Sequence, residues 1–369
     1  MREIKIDAPQ TVIWRNPKSV FRYNGWPTVC CDERGVLYAT ASSFRIEHGE
    51  PSGKNAMFIS FNGGETWTCP MIVNDSYLDD RDMGVLALGG GKMLISWFSE
   101  RYADDAAGHA NFEWEAESAK KMILTYGAVC KLLPQEDMIP GSYVKLSDDY
   151  GVTWSEPIPV PVTCPHGPTK MLDGRVVYLG KDFSKIQDDS FNCTIDAYIS
   201  KDNGRTWEKQ GSVPLPEHEG LTWQHLHEPH VVQLPSGRLL GAMRVHCRKV
   251  EPADTVYTTF SDDEGKTWSM PKCVGVAGLP PHLMVHSSGA VILSYACRED
   301  ERSAERACVS HDGGETWTED YVINSGAMYD HGYPATAECP DGSLFTVYYE
   351  CYPGDEFCSI LGKKWSLEK

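Results

Sequence analysis

The sequence predicts an all-β fold, a six-bladed β-propeller whose blades are four-stranded antiparallel sheets. Two repeats carry this reading: five copies of an eight-residue turn motif, and six copies of a longer strand–turn–strand unit.

The turn motif is S-x-[DN]-x-G-x-x-W. Its copies are Ser60–Trp67, Ser147–Trp154, Ser200–Trp207, Ser261–Trp268 and Ser310–Trp317, and a threonine precedes the tryptophan in each. Asp or Asn accepts backbone N–H bonds inside a tight turn, and Gly supplies a backbone with φ > 0. The tryptophan then packs back between neighbouring sheets as a large apolar plug. One match would be weak; five name a repeating fold element.

The longer unit is a proline-started strand, a tight turn and a returning strand. Its copies start near residues 27, 82, 168, 229, 281 and 334, the one at 82 without its proline. Each becomes strands A and B of a blade, and the turn motif, called a box below, becomes the C–D turn. The sixth copy has no box behind it, so residues 355–367 and an N-terminal strand, near Ile4–Ile6 or Thr11–Trp14, are expected to complete that blade. Such closure removes open sheet edges. The chain, residues 1–369, is therefore read as one domain. Blade two is the longest, and its surplus at about 100–125 is expected to form a short helix or a lid.

Composition excludes several partners. A formal charge of −18 argues against nucleic acid and anionic membrane surfaces. No long apolar run suggests a membrane span, and MREIKIDAPQ lacks the apolar core of a signal peptide. Thirteen scattered cysteines without a C-x-x-C pair fit buried reduced thiols, hence an expected cytoplasmic location.

The topology gathers the starts of strands A and the ends of strands B around one mouth, with the boxes on the opposite face. The A-starts bring Arg22 to Trp26, Arg81 with Asp82, His166, His227 with Glu228 and His230, His282, and Asp330 to Tyr333. The B-ends bring Arg45, Lys181, Arg244 with His246, Arg298 and Glu350. Arginines thus recur at one face of an acidic chain. A planar guanidinium grips a carboxylate through two hydrogen bonds, so this face suits a small anionic carbohydrate.

These residues resemble the sialidase (neuraminidase) superfamily, whose propellers carry the same Asp-box repeats, and the resemblance covers nearly the whole chain. It implies a glycosidase releasing a terminal sialic acid or a related acidic sugar, with no cofactor. In that family three arginines hold the substrate carboxylate. A tyrosine is the nucleophile, a glutamate polarises it, and an aspartate is the acid/base. Arg244 matches the second arginine, Arg298 the third, Glu228 the glutamate and Tyr333 the tyrosine. The first arginine falls to Arg22, with Arg45 as its rival. The acid/base aspartate departs from the pattern: Ser42, Ser43, Glu47 and His48 occupy the stretch where it is expected, so Asp82 or Glu47 is its substitute.

The histidines admit two readings. His225 and His227 share a strand face at period two, as a metal pair would, but Pro229 breaks the helix that a H-E-x-x-H zinc site needs. No metal is therefore expected. His166, His227, His230, His282 and His331 are expected to bind sugar hydroxyls, or one of them to transfer protons. Two further functions fit the same mouth: a lyase acting on acidic polysaccharide through Tyr and His, and a propeller that binds carbohydrate without turnover.

Overall fold

A computed structural model of the chain describes residues 1–101, 117–182, 193–326 and 330–368. Six sheets form the blades. Blade I holds β3 (Tyr23–Cys31), β4 (Leu37–Arg45), β5 (Lys54–Ser60) and β6 (Met71–Asn74). Blade II holds β7 (Asp79–Gly89), β8 (Lys92–Glu100), β9 (Gly141–Ser147) and β10 (Ile158–Val160). Blade III holds β11 (Thr169–Lys170), β12 (Val176–Gly180), β13 (Asp196–Ser200) and β14 (Glu208–Ser212). Blade IV holds β15 (Leu226–Gln233), β16 (Leu239–His246), β17 (Asp254–Ser261) and β18 (Lys272–Ala277).

The last two blades share the N-terminus. Blade V holds β19 (Leu279–Val285), β20 (Val291–Cys297), β21 (Ala304–Ser310) and β22 (Glu319–Ser325). Blade VI holds β23 (Gly332–Glu338), β24 (Leu344–Cys351) and β25 (Cys358–Trp365). Strand β2 (Gln10–Trp14) pairs antiparallel with β25 and closes the ring. Of the two N-terminal segments, it is thus the second that completes blade VI. The first, β1 (Arg2–Lys5), instead adds a fifth, parallel strand to β22 of blade V.

The boxes fold as their chemistry dictates. In each, the serine hydroxyl accepts the glycine N–H and donates to the Asp or Asn oxygen, which itself accepts the threonine N–H, as in Ser310, Gly314, Asp312 and Thr316. The indoles of Trp67, Trp154, Trp207 and Trp268 donate to the glycine carbonyls of their boxes at 3.0–3.1 Å. Each box tryptophan wedges between its own blade and the preceding one; Trp67 meets Phe345 and Trp207 meets Tyr178, both with ring centroids 5.4 Å apart. The sixth wedge, between blades V and VI, is Trp365, which packs on Tyr321 at 4.9 Å and donates to Thr346 Oγ1. Ion pairs then tie the boxes to A–B turns of neighbouring blades, Arg175 to Glu264 and Arg238 to Glu315. Boxes and A–B turns therefore share one face, and the starts of strands A lie on the other.

Within the expected insertion, residues 102–116 lie outside the described residues. The remainder begins helix α1 (Glu117–Cys130), whose Ala119 and Ile123 pack on Ile46 and Phe21 beside the β4–β5 loop. No helix among the described residues is long and apolar enough to cross a membrane.

Candidate active site

Strand A carries the same irregularity in five blades. One extra residue interrupts its pairing with strand B between Gly25 and Thr28, Arg81 and Gly84, His227 and His230, Leu279 and His282, and Gly332 and Ala335. The residues at these bulges are Trp26, Asp82, Glu228 and Tyr333, at φ of 52°, 52°, 48° and 54°, while blade V has Pro280. Blade III has Gly167 at the matching point, at φ 76°. A bulge bends the strand and re-aims a side chain. Left-handed backbone at a bulky residue costs on the order of 1–3 kcal/mol and persists where the surroundings enforce it. Four blades hold such residues at the same place, and their side chains meet.

Tyr333 and Glu228 form the centre. The Tyr333 phenol donates a short hydrogen bond to Glu228 Oε1, and Arg244 Nη1 donates to Oε2 at 3.0 Å. Burial pushes the Glu228 carboxyl up, but Arg244, the Tyr333 hydroxyl and His227 outweigh it and hold the group below its ordinary range. Glu228 is thus an ionised acceptor aimed at the phenol. Burial, the Glu228 carboxylate and, where it is ionised, Asp82 push the phenol well above its ordinary value, against the pull of Arg244. The proton therefore rests on Tyr333, held in a hydrogen bond to the Glu228 carboxylate.

Asp82 faces the same pit. It is 7% exposed and its Oδ1 is buried without a hydrogen-bond partner. Burial raises its carboxyl to about 7; Arg81 pulls it down, and Glu228 and Glu100 push it further up. Below about pH 7 the carboxyl is thus mainly protonated, with one proton to donate.

The arginines divide by role. Arg298 reaches over blade VI, donating from Nε to the His331 carbonyl at 2.9 Å and from Nη2 to Tyr349 Oη at 3.1 Å, and keeps 32% of its side chain exposed. Arg244 also contacts Asp254 Oδ1, at 3.2 Å through Nη2. Arg81 stacks its guanidinium on Trp26, 4.3 Å from the ring centroid, and adds a third cation beside the pit. Arg45 does not reach the mouth: fully buried, it forms a two-pronged ion pair with Asp79 and packs on Trp26. Arg22 lies toward the edge, over Phe357 and 3.7 Å from Glu356.

The predicted histidines separate in the same way. His227 is half-buried next to Glu228, and burial lowers it to about 4. His166, His230 and His282 pack on one another below Tyr333, with ring centroids 4.6–5.8 Å apart. His230 Nδ1 accepts the Leu283 N–H and His282 Nδ1 accepts the Thr336 N–H. That leaves the proton of each neutral ring on Nε2, where a metal ligand needs a lone pair. These rings roof a channel of about 340 Å³ that runs on along the axis past Met284 and Gln233. His331 is buried behind Arg298, bonded to Glu305 and Ser303. Glu47 is buried inside the β4–β5 loop and accepts the His48 N–H.

A second cluster lines the blade I side of the mouth. Asp330 accepts hydrogen bonds from the Tyr23 hydroxyl at 2.6 Å and the Tyr349 hydroxyl at 2.8 Å, and His48 Nδ1 lies 3.1 Å away. Burial works upward on Asp330, but His48 and the two phenols outweigh it and hold the carboxyl well below its ordinary range. Tyr349 had no signal in the sequence beyond lying at the end of a strand B. Trp26, Glu228 and Tyr333 share one that is readable: each directly precedes the proline of its strand A.

Comparison with known proteins agrees with this architecture. No curated protein sequence matches the chain. A solved structure of unknown function from Dyadobacter fermentans superimposes with a TM-score of 0.74 at 20% identity, over 97% of this chain and 98% of that one. An intramolecular trans-sialidase from Ruminococcus gnavus gives 0.67 at 13% identity, over 98% and 97%. A sialidase from Streptococcus pneumoniae gives 0.69 at 14% identity, over 99% of this chain and 71% of that one. Identities this low speak for the fold alone. Residues 120–346 match the family described as BNR repeat-like domain. The chain belongs to the BNR repeat-like domain family and folds as a six-bladed propeller like those of sialidases.

Proposed function

We propose that the protein is a glycoside hydrolase of exo-sialidase type, releasing a terminal sialic acid or a related acidic sugar. The observation that carries this reading is the Tyr333–Glu228–Arg244 chain, in which a phenol is bonded to a carboxylate that an arginine keeps ionised. A free phenol titrates near about 10 and is a weak nucleophile unaided. Here Glu228 takes its proton as the oxygen attacks the anomeric carbon, and Arg244 stabilises the charge that develops. A neutral nucleophile also avoids setting a carboxylate against an anionic sugar, whose own carboxylate suits Arg298, Arg244 and Arg81. In this reading the Asp82 carboxyl, mainly protonated below about pH 7, donates a hydrogen bond to a ring substituent.

The test is release of 4-methylumbelliferone from its sialoside by the wild-type protein and by Tyr333→Phe. The reading requires turnover by the first and its loss in the second. Wild-type protein that binds acidic glycans without turnover, or that raises absorbance near 235 nm from uronate polymers, would replace it with a binding or lyase function.

A further inference from the structure

The hydrolase reading leaves one function unfilled, an acid to protonate the departing oxygen. Asp82 is ill placed for it. An exo-acting enzyme expels its leaving group toward solvent, whereas Asp82 is buried in the floor beside the nucleophile pair. On the blade I side, His48 keeps half of its side chain exposed, at 50%, with its ring 4.9 Å from Trp26, and Trp26 is 6.5 Å from Tyr333.

The contacts of His48 fix its tautomer. Nδ1 lies 2.8 Å from the Tyr23 hydroxyl oxygen and 3.1 Å from Asp330 Oδ2, and those two oxygens are 2.6 Å apart. Tyr23 has one proton and Asp330 is ionised. If the phenol donated to the imidazole, both contacts to the carboxylate would set lone pairs against each other. If the phenol donates to Asp330 and the ring carries its proton on Nδ1, all three contacts are attractive. Nε2, on the opposite edge of the ring, then has the free lone pair, and no hydrogen bond to it is formed among the described residues.

We infer that His48, oriented through Nδ1 by Asp330 and Tyr23, is the acid–base residue of this site. The assignment rests on the hydrolase reading. In the first step the phenolic oxygen of Tyr333 bonds to the anomeric carbon as the bond to the leaving oxygen breaks. The imidazolium Nε2–H gives its proton to that oxygen, and the phenolic proton passes to Glu228. In the second step water attacks the same carbon, its proton goes to Nε2, the Tyr333–carbon bond breaks, and Glu228 returns the proton to the phenol. The sum is hydrolysis with each group restored. The groups facing His48 set its titration. Burial lowers it first, Asp330 raises it, and Arg81 and Arg45 lower it further. A bound anionic sugar offsets those arginines and favours the imidazolium that the first step needs.

The experiment compares two sialosides, one with a 4-methylumbelliferyl and one with a lactose leaving group, in wild type, His48→Gln and Asp82→Asn. His48→Gln is expected to cut kcat/KM on the lactoside by about 10²–10⁴-fold. The aryl sialoside, whose leaving group needs little protonation, loses far less, and sodium azide restores its turnover. Equal losses on both substrates, or the leaving-group split appearing in Asp82→Asn instead, would overturn the assignment. Nitrogen-15 spectra of the imidazole give a readout independent of substrate: the neutral ring is expected as the Nδ1–H tautomer in wild type and to lose that preference in Asp330→Asn. An Nε2–H ring in wild type would overturn it as well. Wild-type protein inert to both sialosides would bring down the hydrolase reading, and the acid–base role with it, whatever the tautomer.

Discussion

Replacing Asp82 by asparagine tests the electrostatics of the pit through stability alone. Asparagine keeps the size of the side chain and tolerates the left-handed backbone at φ 52° better than most residues. In an unfolded chain the carboxyl titrates near about 4; in the fold burial and its acidic neighbours raise it to about 7. The fold therefore favours the protonated form. Its contribution is fully present below about pH 4 and is lost as pH rises toward 7. At about 1.36 kcal/mol per pH unit the whole displacement is worth about 4 kcal/mol, of which about 2–3 kcal/mol falls between pH 5 and pH 8. The amide of the variant does not titrate. Urea unfolding of the two proteins at both pH values gives the difference directly. Glu50, Asp80 and Glu350, which burial also raises, titrate in both proteins and cancel. Asp82→Asn should gain about 2–3 kcal/mol on wild type between pH 5 and pH 8. A gap that stays constant across that range would show that Asp82 is ionised as freely in the fold as in water, and the argument for a neutral carboxyl in the pit would fail.

Other parts of the structure predict equally direct outcomes. Tyr333→Phe should abolish sialoside turnover while moving the melting temperature by only a few degrees, since it removes one hydroxyl from a packed ring; differential scanning calorimetry beside the fluorogenic assay separates the two. Arg45→Met should cost up to about 3–5 kcal/mol, because it removes the two-pronged partner of the fully buried Asp79 carboxylate and leaves it Arg81 Nε at 3.9 Å; the cost should appear in urea unfolding, and a near-neutral result would mean the pair is not structural. Trp365→Ala, which empties the sixth wedge, should cost about 3–5 kcal/mol, whereas a loss under about 1 kcal/mol would contradict its role as the substitute for a box tryptophan. In acid, the threonine hydrogen bonds hold Asp149 and Asp312 at about 2. Their contribution is present above about pH 4 and lost as pH falls toward 2, so Asp312→Asn should narrow the drop in melting temperature between pH 5 and pH 3.

Much of this fold was legible because its repeats restate one chemistry. A serine, an Asp or Asn, a glycine and a tryptophan at fixed spacing can satisfy each other in one kind of turn, and five such turns fix five C–D connections and the face they occupy. The closing strand was less legible, since Ile4–Ile6 and Thr11–Trp14 have similar patterns and only the ring geometry assigns one to each of two blades. Trp365 has no box around it, and only its packing on Tyr321 reveals its part in the fold.

The site was legible by segment but not by side-chain direction. Position at a strand end brings Arg45 and Arg244 equally near the mouth, yet Asp79 draws the first into the core while Glu228 holds the second beside Tyr333. His166, His230 and His282 likewise lie at the right end of their strands, but they turn toward the axis and pack below the pit. What selects the inward-facing residues is the bulge in strand A, and a period-two pattern does not show it. The residue before the strand-opening proline does, in Trp26, Glu228 and Tyr333. His48 and Asp330 come together from segments 282 residues apart, a distance no local pattern spans.

The central claim is that the oxygen of Tyr333 bonds to the anomeric carbon of an acidic sugar. A fluorinated sialosyl fluoride forms such a bond quickly and leaves it slowly, so mass spectrometry of the digested protein reads the claim directly. The account predicts one sialosyl adduct, on the peptide that contains Tyr333, absent from Tyr333→Phe and cleared by a slow return of activity. An unmodified protein, or an adduct on any other residue, would contradict it.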